Sequence, residues 1–139
     1  MQLWIVYALL SAGFAALVAI FGKIGIQNLD STLATSVRAV VMAGFLVIVS
    51  FFLGKFELLS TIHSKALIFI VLSGVAGALS WLFYFFALKH GQATGVASLD
   101  RLSVVFVLIF AILFLGEKLT WLKAIGAILL TGGAILMSL

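Results

Sequence analysis

Five long runs of apolar side chains, each nearly free of charge and separated by short polar turns, constrain this chain more than any other feature of its sequence. A helix of about 20 apolar residues matches the ~30 Å hydrocarbon core of a bilayer, and inside that core every backbone polar group must be bonded within its own segment. The runs place spans at residues 3–22, 32–53, 66–88, 95–115 and 119–138. The expected fold is therefore an all-α integral membrane domain over residues 1–139, with no stretch left for a soluble domain. Hydrophobic residues make up 65% of the chain and charged residues 9%, a balance that a soluble domain cannot keep in water.

The same inventory removes several kinds of chemistry. The chain has no cysteine, and His63 and His90 stand alone, so neither disulfides nor metal-ligand spacing is expected, and no cofactor is implied. No glycine-rich nucleotide loop is present, and any work the protein does on a solute must draw on a gradient. The formal net charge of +4 lies in short loops, where it is a topology signal and not a nucleic-acid patch. The opening MQLWIVYALL lacks a basic leader and is followed by further spans, so it reads as a retained helix.

Small residues Ala12, Ala15, Ala16 and Ala19 give the first span a close-packing face. Ser31 or Thr32 is expected to cap the second span, and Arg38 then lies about 10 Å into it at ~1.5 Å of rise per residue. In the third span Ser73, Gly77, Trp81, Tyr84 and Leu88 share one stripe, with Ser80 adjacent. Trp81 is too deep for a headgroup anchor, so it is expected to face protein or a cavity. The fourth span carries an adjacent acid and base, Asp100 and Arg101, level with Arg38 and on the same side, which suggests an Arg38–Asp100 ion pair. Glu117 and Lys118 turn the chain into the last span, where Lys123 snorkels and Gly126, Gly132 and Gly133 make another close-packing helix.

Charged groups inside a membrane span are functional-site hypotheses by default. Asp100 and Arg101 either pin the end of their helix at the interface or form a substrate or proton site. In the second case Asp100 is the titrating group, Arg101 or Arg38 its partner or the anchor for a carboxylate or phosphate, and Ser103 adds a hydroxyl. Arg38 either ties the second span to the fourth or contacts substrate. Trp81 and Tyr84 either pack against neighbouring helices or line a ligand box. Lys23 and Glu117 read as turn and cap residues.

Short-loop lysines and arginines normally fix the direction of insertion. Five spans put Lys55, Lys65, Lys118 and Lys123 on the side of the N-terminus, and Lys23, Arg38, Lys89 and Arg101 on the other. Four against four leaves no orientation signal, so both orientations are open and an antiparallel homodimer follows as an expectation. The loop lysines alone, four against two, would instead fix one orientation.

Several motifs resemble the EamA-type repeat of the drug/metabolite transporter superfamily: FGKIGI with Lys23, Arg38 early in the second span, WLFYFFALKHGQATGVA in the third, and the closing FLGEKLTWLKAIGAILLTGGAILM with Gly116, Glu117 and Gly126. The resemblance covers essentially the whole chain, and the last two spans also resemble those of the small multidrug resistance family. It implies a five-transmembrane-helix EamA-type repeat. Most members carry two such repeats in inverted orientation, so one repeat implies a second copy in the opposite orientation, and alternating access around a central cavity. Two departures stand out. Many such repeats have a proline thirteen residues before the glutamate of the LGE turn; here that position is Val104 and the chain has no proline, which withdraws the residue that would kink the fourth span. The first span also lacks the glutamate with which small multidrug exporters trade protons for cations.

The function expected on these grounds is secondary transport of a small organic solute by a dual-topology homodimer in a bacterial-type cytoplasmic membrane. Arg38, Asp100 and Arg101 sum to +1, favouring zwitterionic or anionic metabolites. No enzyme chemistry is visible, and the expected partners are a second copy, membrane lipid and the solute, with no nucleic acid. A half-transporter that needs a different small membrane partner, or a non-transporting accessory subunit, are the rival readings.

Overall fold

The computed structural model describes residues 2–139. Helix α1 covers Leu3–Gly25, α2 Ser31–Phe52, α3 Ser64–His90, α4 Ala93–Asp100, α5 Ser103–Leu115 and α6 Trp121–Ser138, with a 3-10 helix at Lys55–Thr61. Among the described residues, α1, α2, α3, the α4–α5 pair and α6 give five segments long and apolar enough to cross a bilayer. Backbone bonding inside each helix removes the polar groups that hydrocarbon would leave unsatisfied.

The helix ends follow from local chemistry. Asp30, and not Ser31 or Thr32 as expected, caps α2: its carboxylate accepts the Leu33 N–H at 2.9 Å. A carboxylate at this position also complements the helix dipole, which a hydroxyl does not. Thr120 caps α6 by accepting the Lys123 N–H. Gly116 ends α5 in the left-handed region at φ +66°, with its own N–H and that of Glu117 both given to the Ala111 carbonyl. Hydroxyls within the spans bond back one turn, Thr35 to Ser31 O, Ser98 to Thr94 O and Thr131 to Ala127 O, at 2.7–2.8 Å. A hydroxyl in hydrocarbon has few other partners.

The fourth span is broken between α4 and α5 although the chain has no proline to kink it. At Arg101 and Leu102 the bonding contracts to i→i+3: Arg101 N–H to Ser98 O, Leu102 N–H to Leu99 O, Val104 N–H to Arg101 O. The Val104 N–H that a continuous helix would give to the Asp100 carbonyl goes to Arg101 instead. The tightening is a 3-10 turn, and it needs no proline.

The chain divides into two compact units, one of Met1–Ile24 with His90–Leu139, the other of Gly25–Lys89. In the first, α6 packs against both α4 and α5. The α4–α6 contact is close because Gly95 has no side chain: a Cβ there would lie 3.4 Å from the Ser138 Cα. The Ser98 hydroxyl also lies 3.6 Å from the Met137 sulfur. Small residues at such a contact let backbones approach, the main source of helix association in lipid. Gly126, Gly132 and Gly133, expected to make close contacts too, have nothing within 4 Å of where a Cβ would stand. Lys23 reaches from the end of α1 to the Gly91 carbonyl at 2.7 Å, fastening the α3–α4 link.

In the second unit the 3-10 helix packs on α2, and Lys89, near the end of α3, donates to the Leu29 carbonyl at 3.0 Å. The fully buried Ile26, Ser31 and Leu88 lie on the segments that this bond joins.

Candidate functional site

Arg38, two turns into α2, is the one charged side chain among those lining a groove between α2 and α3 of the second unit. The groove has a volume of about 780 Å³. Its polar end is formed by Thr32, Thr35, Ser36 and Arg38, and its apolar end by Met42, Leu46, Gly74 and Val75. The antiparallel course of α2 and α3 sets this gradient, since Trp81 and Leu82 lie opposite the polar end and Gly74 opposite Leu46.

The guanidinium sits over the Trp81 indole, 3.5 Å from the ring centroid, and 5.7 Å from that of Phe85. Tyr84 meets Trp81 edge to face at 5.4 Å and Phe85 lies tilted to it at 6.1 Å, so two rings of the same helix flank the indole that carries the cation. A cation over an indole is worth ~2 kcal/mol or more when desolvated. That offsets part of the cost of holding a guanidinium within an apolar span. Thr35 and Ser36 spend their hydroxyl protons on the carbonyls of Ser31 and Thr32. They therefore present lone pairs to the groove, and Arg38 is its charged donor.

Three of the expected site residues, Arg38, Trp81 and Tyr84, are thus brought together. The stripe inferred along α3 is met in part: Gly77 and Trp81 line the groove and Leu88 is buried, while the α3 side of the groove is completed by Gly74, Val75, Ala78, Leu79 and Leu82. Asp100, Arg101 and Ser103 belong to the other unit. Asp100 is half-buried at the last residue of α4, Arg101 lies exposed in the 3-10 turn, and Ser103 is exposed at the first residue of α5. Among the described residues of that unit no ion pair to the Asp100 carboxylate is formed, and Arg38 stacks on Trp81 of its own unit. The residues that sequence reasoning missed are Gly74 and the Thr35–Ser36 pair, whose faces are set by which side of α2 meets α3.

A second hollow of about 570 Å³ follows one face of α1 from Val6 to Leu17. No polar side chain lines it, so it offers nothing to orient a solute.

Glu117 pairs with Lys123 at 2.8 Å across the α5–α6 turn, with both side chains about half exposed. Lys123 thus closes the turn with Glu117. Among the described residues no cluster of histidine, aspartate and glutamate could hold a metal ion.

Comparison with known proteins agrees with this architecture. A Sinorhizobium protein described as "Uncharacterized transporter in cobO 3'region" is 44% identical over 137 residues, covering 99% of this chain and 97% of that protein. No solved structure matches. The description of the EamA-like transporter family matches residues 2–139. With five apolar helices and a family match from one end to the other, the chain belongs to the EamA-like transporter family and is an integral membrane protein of the drug/metabolite transporter type.

Proposed function

We propose that the protein is a secondary transporter of a small organic solute, working by alternating access as an antiparallel homodimer in a bacterial-type cytoplasmic membrane. The observation that carries this reading is Arg38 held over Trp81 at the polar end of a 780 Å³ groove in a membrane-spanning unit. A cation at that depth is retained where it recognises something. Arg38, Trp81 and Tyr84 form the solute-facing group. Asp100, Arg101 and Ser103, at the break between α4 and α5, form the coupling group, with Asp100 taking and releasing the proton.

The even division of basic residues supports insertion in both directions. The open glycines of α6 and the apolar side chains exposed along every span leave room for a second copy. Two copies in opposite orientation would supply the inverted repeats on which alternating access turns. A gradient drives the cycle, and the solute is anionic or zwitterionic.

Reconstituted vesicles test transport directly. Asp100→Asn is expected to lose uphill uptake driven by a proton gradient while retaining solute counterflow; loss of neither would remove Asp100 from the mechanism. For topology, a cysteine added after Leu139 is labelled in intact cells with an impermeant thiol reagent. Partial labelling, completed on permeabilisation, supports the antiparallel homodimer. All-or-none labelling refutes it and favours a half-transporter with a different inverted partner.

A further inference from the structure

We propose that the α2–α3 groove takes an amphipathic monocarboxylate: the carboxylate on the in-plane donors of Arg38, the apolar chain laid between α2 and α3 toward Leu46 and Val75. This rests on the transporter reading for its physiological meaning but not for its chemistry. The stack with Trp81 occupies one face of the guanidinium. Its N–H groups radiate in the plane of the fork, away from the stacked face, and a carboxylate accepts two such groups side by side. Recognition by the edge and support by the face are therefore compatible.

The rest of the groove selects the tail. From Arg38 to Leu46 is eight residues, an apolar run of about 12 Å. Its volume lies within the ~300–1,000 Å³ typical of small-molecule sites. Gly74 keeps this end open, since a Cβ there meets nothing within 4 Å. The groove also rejects a second charge. The acidic residues of this unit are Asp30, committed to the α2 cap, and Glu57, in the 3-10 helix, and neither lines the groove. An ammonium beside the carboxylate would find hydroxyl lone pairs but no counter-charge, and its desolvation would be offset only in part. The geometry therefore favours a simple carboxylate over a zwitterion.

Trp81 is a built-in reporter once Trp4 and Trp121, 65% and 85% exposed, are replaced by phenylalanine. The full chain is placed in phosphatidylcholine nanodiscs and titrated with decanoate, decan-1-ol, decylammonium and 2-aminodecanoate. A saturable change in Trp81 emission is expected for decanoate. Half-saturation should be about tenfold higher or more for the other three probes, and also for decanoate with Arg38→Gln, a loss of one charge-assisted contact. Gly74→Leu, which fills open space and leaves the charge in place, should abolish the response to decanoate and keep that to butanoate. Equal responses to decanoate and decylammonium, or an unchanged response in Arg38→Gln or Gly74→Leu, would overturn the assignment. So would displacement of decanoate by phosphatidylglycerol added to the discs, which would make the site one for a lipid headgroup. Nanodiscs enclose no compartment, so binding is read independently of flux: decanoate binding with no solute counterflow in vesicles refutes the transporter reading and leaves the groove assignment standing.

Discussion

Two glycines with equal room around them should answer the same substitution with opposite signs. At Gly74 and Gly116 a Cβ would meet nothing within 4 Å, so contact excludes alanine from neither. Gly116 stands at φ +66°, where a side chain costs about 1–2 kcal/mol. It also sets the turn in which the Gly116 and Glu117 N–H groups share the Ala111 carbonyl. Gly74 lies within α3 in ordinary helical geometry, where alanine relieves about 0.5–1 kcal/mol of backbone entropy. Gly74→Ala and Gly116→Ala should therefore differ by about 1.5–3 kcal/mol, roughly 12-fold to 140-fold in the unfolding equilibrium. Reversible unfolding in mixed micelles, followed by tryptophan emission as sodium dodecyl sulfate is titrated in, reads both variants on one scale. Destabilisation by Gly74→Ala would refute the reasoning, because it would mean that something packs against the floor of the groove. A neutral Gly116→Ala would mean that the α5–α6 turn is not left-handed.

Removing the α2 cap with Asp30→Ala should cost about 1 kcal/mol in the same titration, with Asp30→Asn near neutral. Ser31→Ala should be neutral or stabilising, because the buried Ser31 hydroxyl has no hydrogen-bond partner among the described residues. Gly95→Ala should be tolerated at its 3.4 Å approach to Ser138, whereas Gly95→Leu should separate α4 from α6 at a cost of about 1–3 kcal/mol, visible as loss of the folded peak in size exclusion. Glu117→Gln should change stability by no more than about 1 kcal/mol and by less at high salt, since its bond to Lys123 is half exposed.

The lengths and places of the spans were legible because hydropathy and helix rise are local quantities: about 20 apolar residues either cross hydrocarbon or do not. The helical face shared by Trp81 and Tyr84 was legible for the same reason, since the helical repeat is also local. Local chemistry was harder to rank. Asp30, Ser31 and Thr32 are all competent caps, and only the path of the turn shows which one meets the Leu33 N–H. The absence of proline left the break at Arg101 open, because a contraction to i→i+3 bonding leaves no compositional mark.

The sequence by itself determined that this chain is a five-span membrane helix protein with a few charged residues inside its apolar runs, because the bilayer imposes length, polarity and backbone bonding residue by residue. Tertiary structure alone decided what those charges meet. A helical stripe states which residues point the same way and nothing about what stands opposite. The pairing of Arg38 with Trp81 and the opening of the groove beneath them depend on the approach of α2 to α3, which side chains far apart in the chain set jointly.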